Sequence, residues 1–414
     1  MNILHINFSD NSGGAARSAY KIHSGLKQQG CTSRMLVRLK VTDDPDVDYI
    51  YSHKLWIRMG DLIGKKIIDK ISLPYLYNPS SFELVNHSWF KSSDVIQLYN
   101  LHAPTCFFTY RALPKISSLK PVVWRLSDMW PFTGHCSYSH ECERWKTGCG
   151  SCPYLHEYPA IKFDNTALLW KIKKWVYQHS KLFIVTTNSW MEKLVCDSPL
   201  LSQFPVYRIP NGIDTYKFKP IQKQIARTIL NLPVNSKIVL FAAYDTTETR
   251  KGGQYIPDIM ERLAAQGISN LVLVVIGKGS EFFSDHPKYQ TIRLQFSNSD
   301  EFLTNIYSAT DVLIHPAIVE NFPNTILECM ACSTPCVAFD VGGVSDIVRH
   351  LQTGYLAQYK DIDDMVKGIY LLLDNFDIRL TLSNNCRTTV ETEYTLELQA
   401  LKHLQLYSHI LSTK

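Results

Sequence analysis

The chain of 414 residues is 45% hydrophobic and 20% charged, a soluble globular balance with enough length for two domains of about 200 residues each. A formal net charge of +5 without a long basic tract argues against a nucleic-acid partner and fits an anionic small molecule or a membrane surface. No run approaches the roughly 20 apolar residues that span a bilayer, and the start MNILHINFSDN lacks the basic flank and apolar core of a signal peptide, so a cytoplasmic protein is expected.

The predicted elements begin with a strand in NILHINF, then a paired-glycine turn at Gly13 and Gly14 and an amphipathic helix that ends in glycine. KLWIRMGDLIGKKIIDKI follows, with Trp56, Met59, Ile63, Ile67 and Ile71 near helical spacing among Lys54, Arg58, Lys65, Lys66 and Lys70. A core-facing helix with exposed basic residues is the favoured reading, and a helix lying on a membrane surface is the alternative. Strands in RMLVRL, DVIQLYN, PVVWRLS and LFIVTT complete a parallel-sheet domain over residues 1–200.

Between the last two of these strands, GHCSYSHECERWKTGCGSCP places Cys136, Cys142, Cys149 and Cys152 in a C-x5-C-x6-C-x2-C array, with His135 and His140 close by. In a cytosolic chain this spacing leaves open a structural zinc, two reversible disulfides or free thiols.

A second series of strands, KIVLFAA, NLVLVVIGKG, QTIRLQF, DVLIHPA and TPCVAFD, alternates with helical patterns over residues 201–394. The amphipathic LELQALKHLQLYSHIL within 395–414 can pack back on the first domain. Two tandem Rossmann-like, doubly wound α/β domains are expected, with an interdomain cleft facing the carboxyl ends of their strands.

The densest chemical signal is HPAIVENFPNTILECMA. A helix beginning near Pro323 leaves the amides of Asn324 and Thr325 free at its positive end, a seat for phosphate. Glu320 lies outside that mouth and Glu328 about one turn inside, where it can accept hydrogen bonds from paired hydroxyls. Arg250 and Lys251 in TETRKGGQYI follow the strand KIVLFAA and can neutralise a diphosphate, while Gly277 in VIGKGS lets backbone approach a ligand.

With E-x7-E at Glu320 and Glu328, PNGID, RKGG, IGKG, ECMACSTPCVAFDVGGVSDIV and TGYLA, the chain resembles the retaining glycosyltransferases of family 4, which have the GT-B fold. VVWRLSDMWPFTGHC and the cysteines after it are similar to bacterial exopolysaccharide glycosyltransferases, including colanic-acid types. The resemblance implies ribose binding by Glu328, donor-sugar contact by Glu320, diphosphate contact by Lys251, and a Gly13–Gly14 turn against diphosphate and acceptor. Many relatives carry His-Asp where this chain has Ser127-Asp128, leaving Asp128, His102 and His135 as acceptor-side candidates. An arginine about six residues before the lysine is also missing, Asp245 standing near its place.

The function expected is transfer of a sugar from a nucleotide-diphosphate donor to a glycan or lipid-linked acceptor in surface polysaccharide synthesis. No catalytic metal and no nucleic acid are expected; peripheral contact with the inner face of the membrane is. The competing readings are a GT-B-shaped nucleotide-sugar epimerase or phosphorylase, and a non-catalytic sugar-nucleotide or glycan-binding protein.

Overall fold

The computed structural model describes residues 1–51, 54–103, 106–295, 297 and 299–413, with the side chains of residues 65 and 69 outside the description. The chain folds as two units, Met1–Pro210 together with Leu396–Lys414, and Asn211–Thr395.

Unit 1 is built on a parallel sheet of β1 (Asn2–Ser9), β2 (Thr32–Leu39), β3 (Val47–Tyr49), β4 (Val95–Leu98), β5 (Val122–Arg125), β6 (Leu182–Thr186) and β7 (Val206–Arg208). The strand order is β3-β2-β1-β4-β5-β6-β7. Unit 2 contains β8 (Lys237–Asp245), β9 (Leu271–Lys278), β10 (Gln290–Leu294), β11 (Val312–His315), β12 (Cys336–Phe339) and β13 (Gly354–Ala357), also parallel, in the order β10-β9-β8-β11-β12-β13. Central strands such as β9, LVLVVIGK, are buried along nearly their whole length, as near-continuous aliphatic runs require when helices cover both faces.

In each sheet the strand order reverses once, between β1 and β4 and between β8 and β11. Open α/β sheets bind ligands at this point, beyond the carboxyl ends of the strands. Residues just after β8 and β11 include Lys251 and Glu320; those just after β1, β4 and β5 include Gly13, His102 and Asp128.

The first unit ends at Pro210, ten residues beyond the expected boundary at 200, because β7 pairs with β6 as a seventh strand. The helix Leu396–Ser412 returns to the same unit. Its Leu406, Tyr407 and Ile410 join Ile22 and Leu26 of the helix Gly14–Gln28 in one core cluster, and Tyr407 donates its hydroxyl to Gln97 Oε1 at 2.7 Å.

The helix Leu55–Lys70 overturns the core-facing reading of its stripe. It packs inward through Ile57, Gly64 and Ile68, and a Cβ at Gly64 would stand 2.0 Å from the Tyr77 ring. Trp56 is 70% exposed, and Leu55, Met59, Leu62, Ile63 and Ile67 are exposed beside it. The helix therefore has two apolar faces, one of them bare. Among the described residues no helix is long and apolar enough to cross a membrane.

Candidate active site

In unit 2, β11 delivers the chain through Pro316 to Glu320, and the helix Asn324–Ala331 begins four residues later. Pro323 is the extended residue before the helix rather than part of its first turn, so the helix starts one residue later than expected, and among the described residues no side chain caps it. Its first amides therefore remain available to an anion. The turn Thr249–Lys251 approaches from β8, and Ile318 N bonds to Arg250 O at 3.0 Å. Gly252 makes that approach feasible: its φ is +77°, and a Cβ there would lie 1.8 Å from Pro316 O.

These segments bring together a buried carboxylate and two cations. Lys251 Nζ lies 2.5 Å from Glu320 Oε2, and an Arg250 guanidinium nitrogen 3.3 Å from the same oxygen. Burial alone would raise the Glu320 carboxyl, but Lys251, Arg250 and His315 hold it down to about 2. His315, the last residue of β11, has its Nε2 3.8 Å from Glu320 Oε2 and without a hydrogen-bond partner among the described residues. Burial pushes its imidazole down to about 4, so it is neutral at pH 7.

Glu328, inside the helix, accepts a 2.9 Å bond from the Tyr307 hydroxyl. Burial, reinforced by Glu328, keeps that phenol protonated and therefore a donor. Asn211, the first residue of unit 2, donates to Asn324 Oδ1 at 2.9 Å and so ties PNGID to the helix start. A Cβ at Gly277 would meet Ala243 O at 2.1 Å, so the residue lets β9 close on β8. Asp245 bonds Thr247 N at 2.9 Å, shaping the turn after β8 in place of the missing arginine.

Unit 1 holds a second polar cluster. His102 Nε2 is 3.0 Å from Asp128 Oδ2 and 3.1 Å from Ser137 Oγ, while Asp128 Oδ1 accepts from Trp130 N at 3.0 Å. The His102 ring stacks on Trp130, with centroids 5.0 Å apart. A proton on Nε2, donated to the carboxylate, leaves Nδ1 as a bare lone pair, and that atom is buried with no hydrogen-bond partner among the described residues. An imidazole thus stands beside Asp128 although residue 127 is serine. Gly13, with φ of +88°, precedes the helix Gly14–Gln28, and both glycines are exposed.

His135 does not join this cluster. Its Nδ1 bonds Pro159 O at 3.0 Å and its Nε2 lies 3.5 Å from Cys152 Sγ, because the loop turns residue 135 toward the cysteines while Ser137 reaches His102. Among the described residues Cys136, Cys142, Cys149 and Cys152 form no disulfide, and all four line one small cavity. Cys329, Cys332 and Cys336 lie in the core of unit 2.

His315, Tyr307, Asn211 and Ser137 were not singled out from sequence. His315 had a visible place at the end of DVLIHPA, whereas Tyr307 and Ser137 are recruited from other elements by the fold.

Residues 222–389 match the family "Glycosyl transferases group 1". The chain is 24% identical over 371 residues to the putative colanic acid biosynthesis glycosyl transferase WcaC of Escherichia coli K12, covering 84% of this chain and 85% of that one. It is 25% identical over 275 residues to UDP-Gal:alpha-D-GlcNAc-diphosphoundecaprenol alpha-1,3-galactosyltransferase of Escherichia coli, covering 63% and 70%. An uncharacterized glycosyltransferase of Methanocaldococcus jannaschii is 25% identical over 54% of this chain, the alignment spanning 59% of that protein.

Among solved structures, sucrose-phosphate synthase from Thermosynechococcus elongatus superposes with a TM-score of 0.66 at 18% identity over 100% of both chains. Anabaena HepE in complex with UDP and glucose gives 0.67 at 16% identity over 99% of both chains. The chain has the GT-B fold, and unit 2 carries a group 1 glycosyltransferase domain. It is a glycosyltransferase whose relatives work in polysaccharide and lipid-linked glycan synthesis, which favours transfer over epimerisation, phosphorolysis or mere binding.

Proposed function

We propose that the chain moves a sugar, with retention of anomeric configuration, from a uridine diphosphate sugar to a lipid-linked glycan acceptor at the inner face of a membrane. The carrying observation is the pair of cations, Lys251 and Arg250, fixed on buried Glu320 beside the uncapped start of Asn324–Ala331. The cations and the amides of Asn324 and Thr325 take the diphosphate and stabilise it as it leaves. Glu328, oriented by Tyr307, takes the ribose hydroxyls. Glu320 both positions the cations and faces the donor sugar. Protein groups thus supply the positive charge that other folds take from a divalent metal. In unit 1, His102 and Asp128 orient the acceptor hydroxyl, and the Gly13–Gly14 turn leaves room for phosphate.

The uridine assignment is supported by HepE, which binds UDP, and the acceptor by the Escherichia coli galactosyltransferase, whose substrate is diphosphoundecaprenol-linked. Membrane contact is supported by the bare apolar face of Leu55–Lys70, where Lys66 and Lys70 stand exposed among Trp56, Met59, Ile63 and Ile67 and suit anionic headgroups.

A test incubates purified protein with UDP-sugars, GDP-sugars and a short-chain lipid-linked saccharide, with and without chelator. Transfer from a UDP-sugar that persists in chelator, with an anomerically retained product, is expected. Turnover only with GDP-sugars, metal-dependent turnover or an inverted product would each overturn the corresponding part. Co-sedimentation with anionic vesicles, lost in a Trp56→Glu/Ile63→Glu variant that keeps activity on a soluble acceptor, checks the membrane contact; no binding by the wild type rejects it.

A further inference from the structure

The segment after Asp128 contains a feature that sugar transfer does not use. Cys136, Cys142, Cys149 and Cys152, with His135, line one small cavity of about 20 Å³ beside Trp145, Tyr154 and Thr166. Residues 148–151 all have positive φ, from 47° at Ser151 to 129° at Gly148, and two of them are not glycine. Such strain persists only where the surroundings over-determine the backbone. It folds the C-x2-C tip into a knuckle, and Gly134 N donates to Cys149 Sγ at 3.2 Å, a bond that strengthens when the sulfur is anionic.

His135 is set in the same sense. Its Nδ1 faces a carbonyl oxygen, which only accepts, so Nδ1 carries the proton and the Nε2 lone pair faces the cavity and Cys152. This is the usual tautomer of an imidazole that binds metal through Nε2. Charge is an independent indication. Lys173 is buried, with its ammonium bonded to Trp130 O at 2.5 Å and Thr133 O at 3.1 Å and lying 3.8 Å from the Trp130 ring centroid. It makes no ion pair among the described residues; burial pushes its ammonium down to about 7, and Cys149 and Cys136, if ionised, together with Asp128 would stabilise its charge.

We propose that this cavity binds one structural zinc ion, four-coordinate, with ligands drawn from the Cys136, Cys142, Cys149 and Cys152 thiolates and His135 Nε2. Zinc held mainly by thiolates carries net negative charge, which compensates buried Lys173. Among the described residues no group of three or more His, Cys, Asp or Glu side chains already converges as a metal site. Loading therefore draws the walls inward by side-chain rotation and displaces the thiol protons. The ion is structural, since Cys136 adjoins Ser137, whose hydroxyl meets His102, and Met129 N bonds to Ser137 O at 2.8 Å. Closing the cysteine loop thus fixes the His102–Asp128 pair.

The test measures metal in full-length, tag-free protein purified under reducing conditions, by elemental analysis and by release of zinc on thiol modification. About one zinc per chain is expected, retained in Cys196→Ser, whose cysteine is exposed and apart from the cavity, and lost in Cys142→Ser and Cys149→Ser. Should those variants fail to fold, cobalt exchanged into the wild type reports instead, since thiolate ligation gives a near-ultraviolet charge-transfer band. Metal-free protein with all thiols titratable, disulfides within the array by mass spectrometry, or cobalt bound without the thiolate band would each overturn the proposal.

Discussion

The two units share a parallel sheet with one reversal of strand order but build their polar sites differently. Unit 2 takes most of its site from two short stretches, 250–252 and 315–328, and fixes it with ion pairs on one carboxylate. Unit 1 gathers His102, Asp128 and Ser137 from successive strand ends and a long irregular loop, and fixes them with hydrogen bonds and a Trp130 stack. The first arrangement concentrates charge on one carboxylate; the second aligns polar atoms through hydrogen bonds and ring stacking. In the proposed function the first serves the donor and the second the acceptor.

The largest effect should come from breaking the charged cluster. Lys251→Ala is expected to lower kcat by roughly 10²- to 10³-fold, the range for losing one donor to a developing anion. Affinity for UDP should fall while affinity for uridine holds, measured by calorimetry. Arg250→Ala should do less, since its guanidinium is farther from Glu320 and shared with Glu248. Equal losses for nucleoside and diphosphate would break the contrast between the units.

Acid should distinguish the units next. Burial lowers His403 of unit 1 from 6.5 to about 3 and holds His5 well below its ordinary value; in unit 2, His315 falls to about 4. A depressed histidine means that the unfolded chain takes up protons which the folded chain refuses. Stability is therefore full above pH 6.5 and falls as pH drops toward the folded value. For His403 alone, going from pH 6.5 to 5 costs about 2 kcal/mol. Burial also lowers His23 and His135 in unit 1, so with His5, His23, His135 and His403 against His315, unit 1 should lose hydrogen-exchange protection first on acidification. Earlier loss in unit 2 would show that its ion pairs, not buried imidazoles, set the acid limit.

Much of unit 2 was legible because its chemistry is local. Lys251, Glu320 and Glu328 stand at fixed offsets from strand and helix ends, and a helix start gives such offsets a physical meaning. Tyr307 was not legible, since it lies 21 residues before Glu328 on the helix Asp300–Ala309, and only packing of that helix beside Asn324–Ala331 joins them. In unit 1 the sequence motif marks Asp128 but does not choose its imidazole. His102, 26 residues before Asp128, and His135, seven after it, were both candidates, and the choice was made by which way a loop turns. The stripe of Leu55–Lys70 was visible, yet periodicity cannot say which of two apolar faces meets the core. Three-residue strands such as β3 and β7 carry too few residues for any period.

Tyr307→Phe tests the part of unit 2 that only the fold supplied. The buried Glu328 carboxylate loses one donor, at a cost of about 1.5 kcal/mol for a bond to a charged group. UDP affinity should fall roughly tenfold with kcat little changed. A kcat loss at constant affinity would move Glu328 from ribose binding to the chemical step.

The smallest effect should be that of Ser137→Ala. Ser137 Oγ lies 3.1 Å from His102 Nε2, but Asp128 Oδ2 is closer at 3.0 Å, and a carboxylate oxygen is a stronger acceptor than a hydroxyl for the same N–H. Loss of the hydroxyl leaves His102 paired and its tautomer unchanged. A neutral hydrogen bond contributes about 0.5–1.5 kcal/mol, so acceptor KM should rise only about two- to tenfold. Asp128→Asn should do much more, because an amide that turns its NH2 toward Nε2 moves the imidazole proton to Nδ1 and removes the bare lone pair. Two readings of unit 1 are separated by this pair of variants. If the His102–Asp128 pair orients the acceptor, Asp128→Asn lowers turnover and shifts the pH profile, while Ser137→Ala leaves the profile in place. If the pair only braces the loop, both variants lower thermal stability and leave the pH profile unchanged.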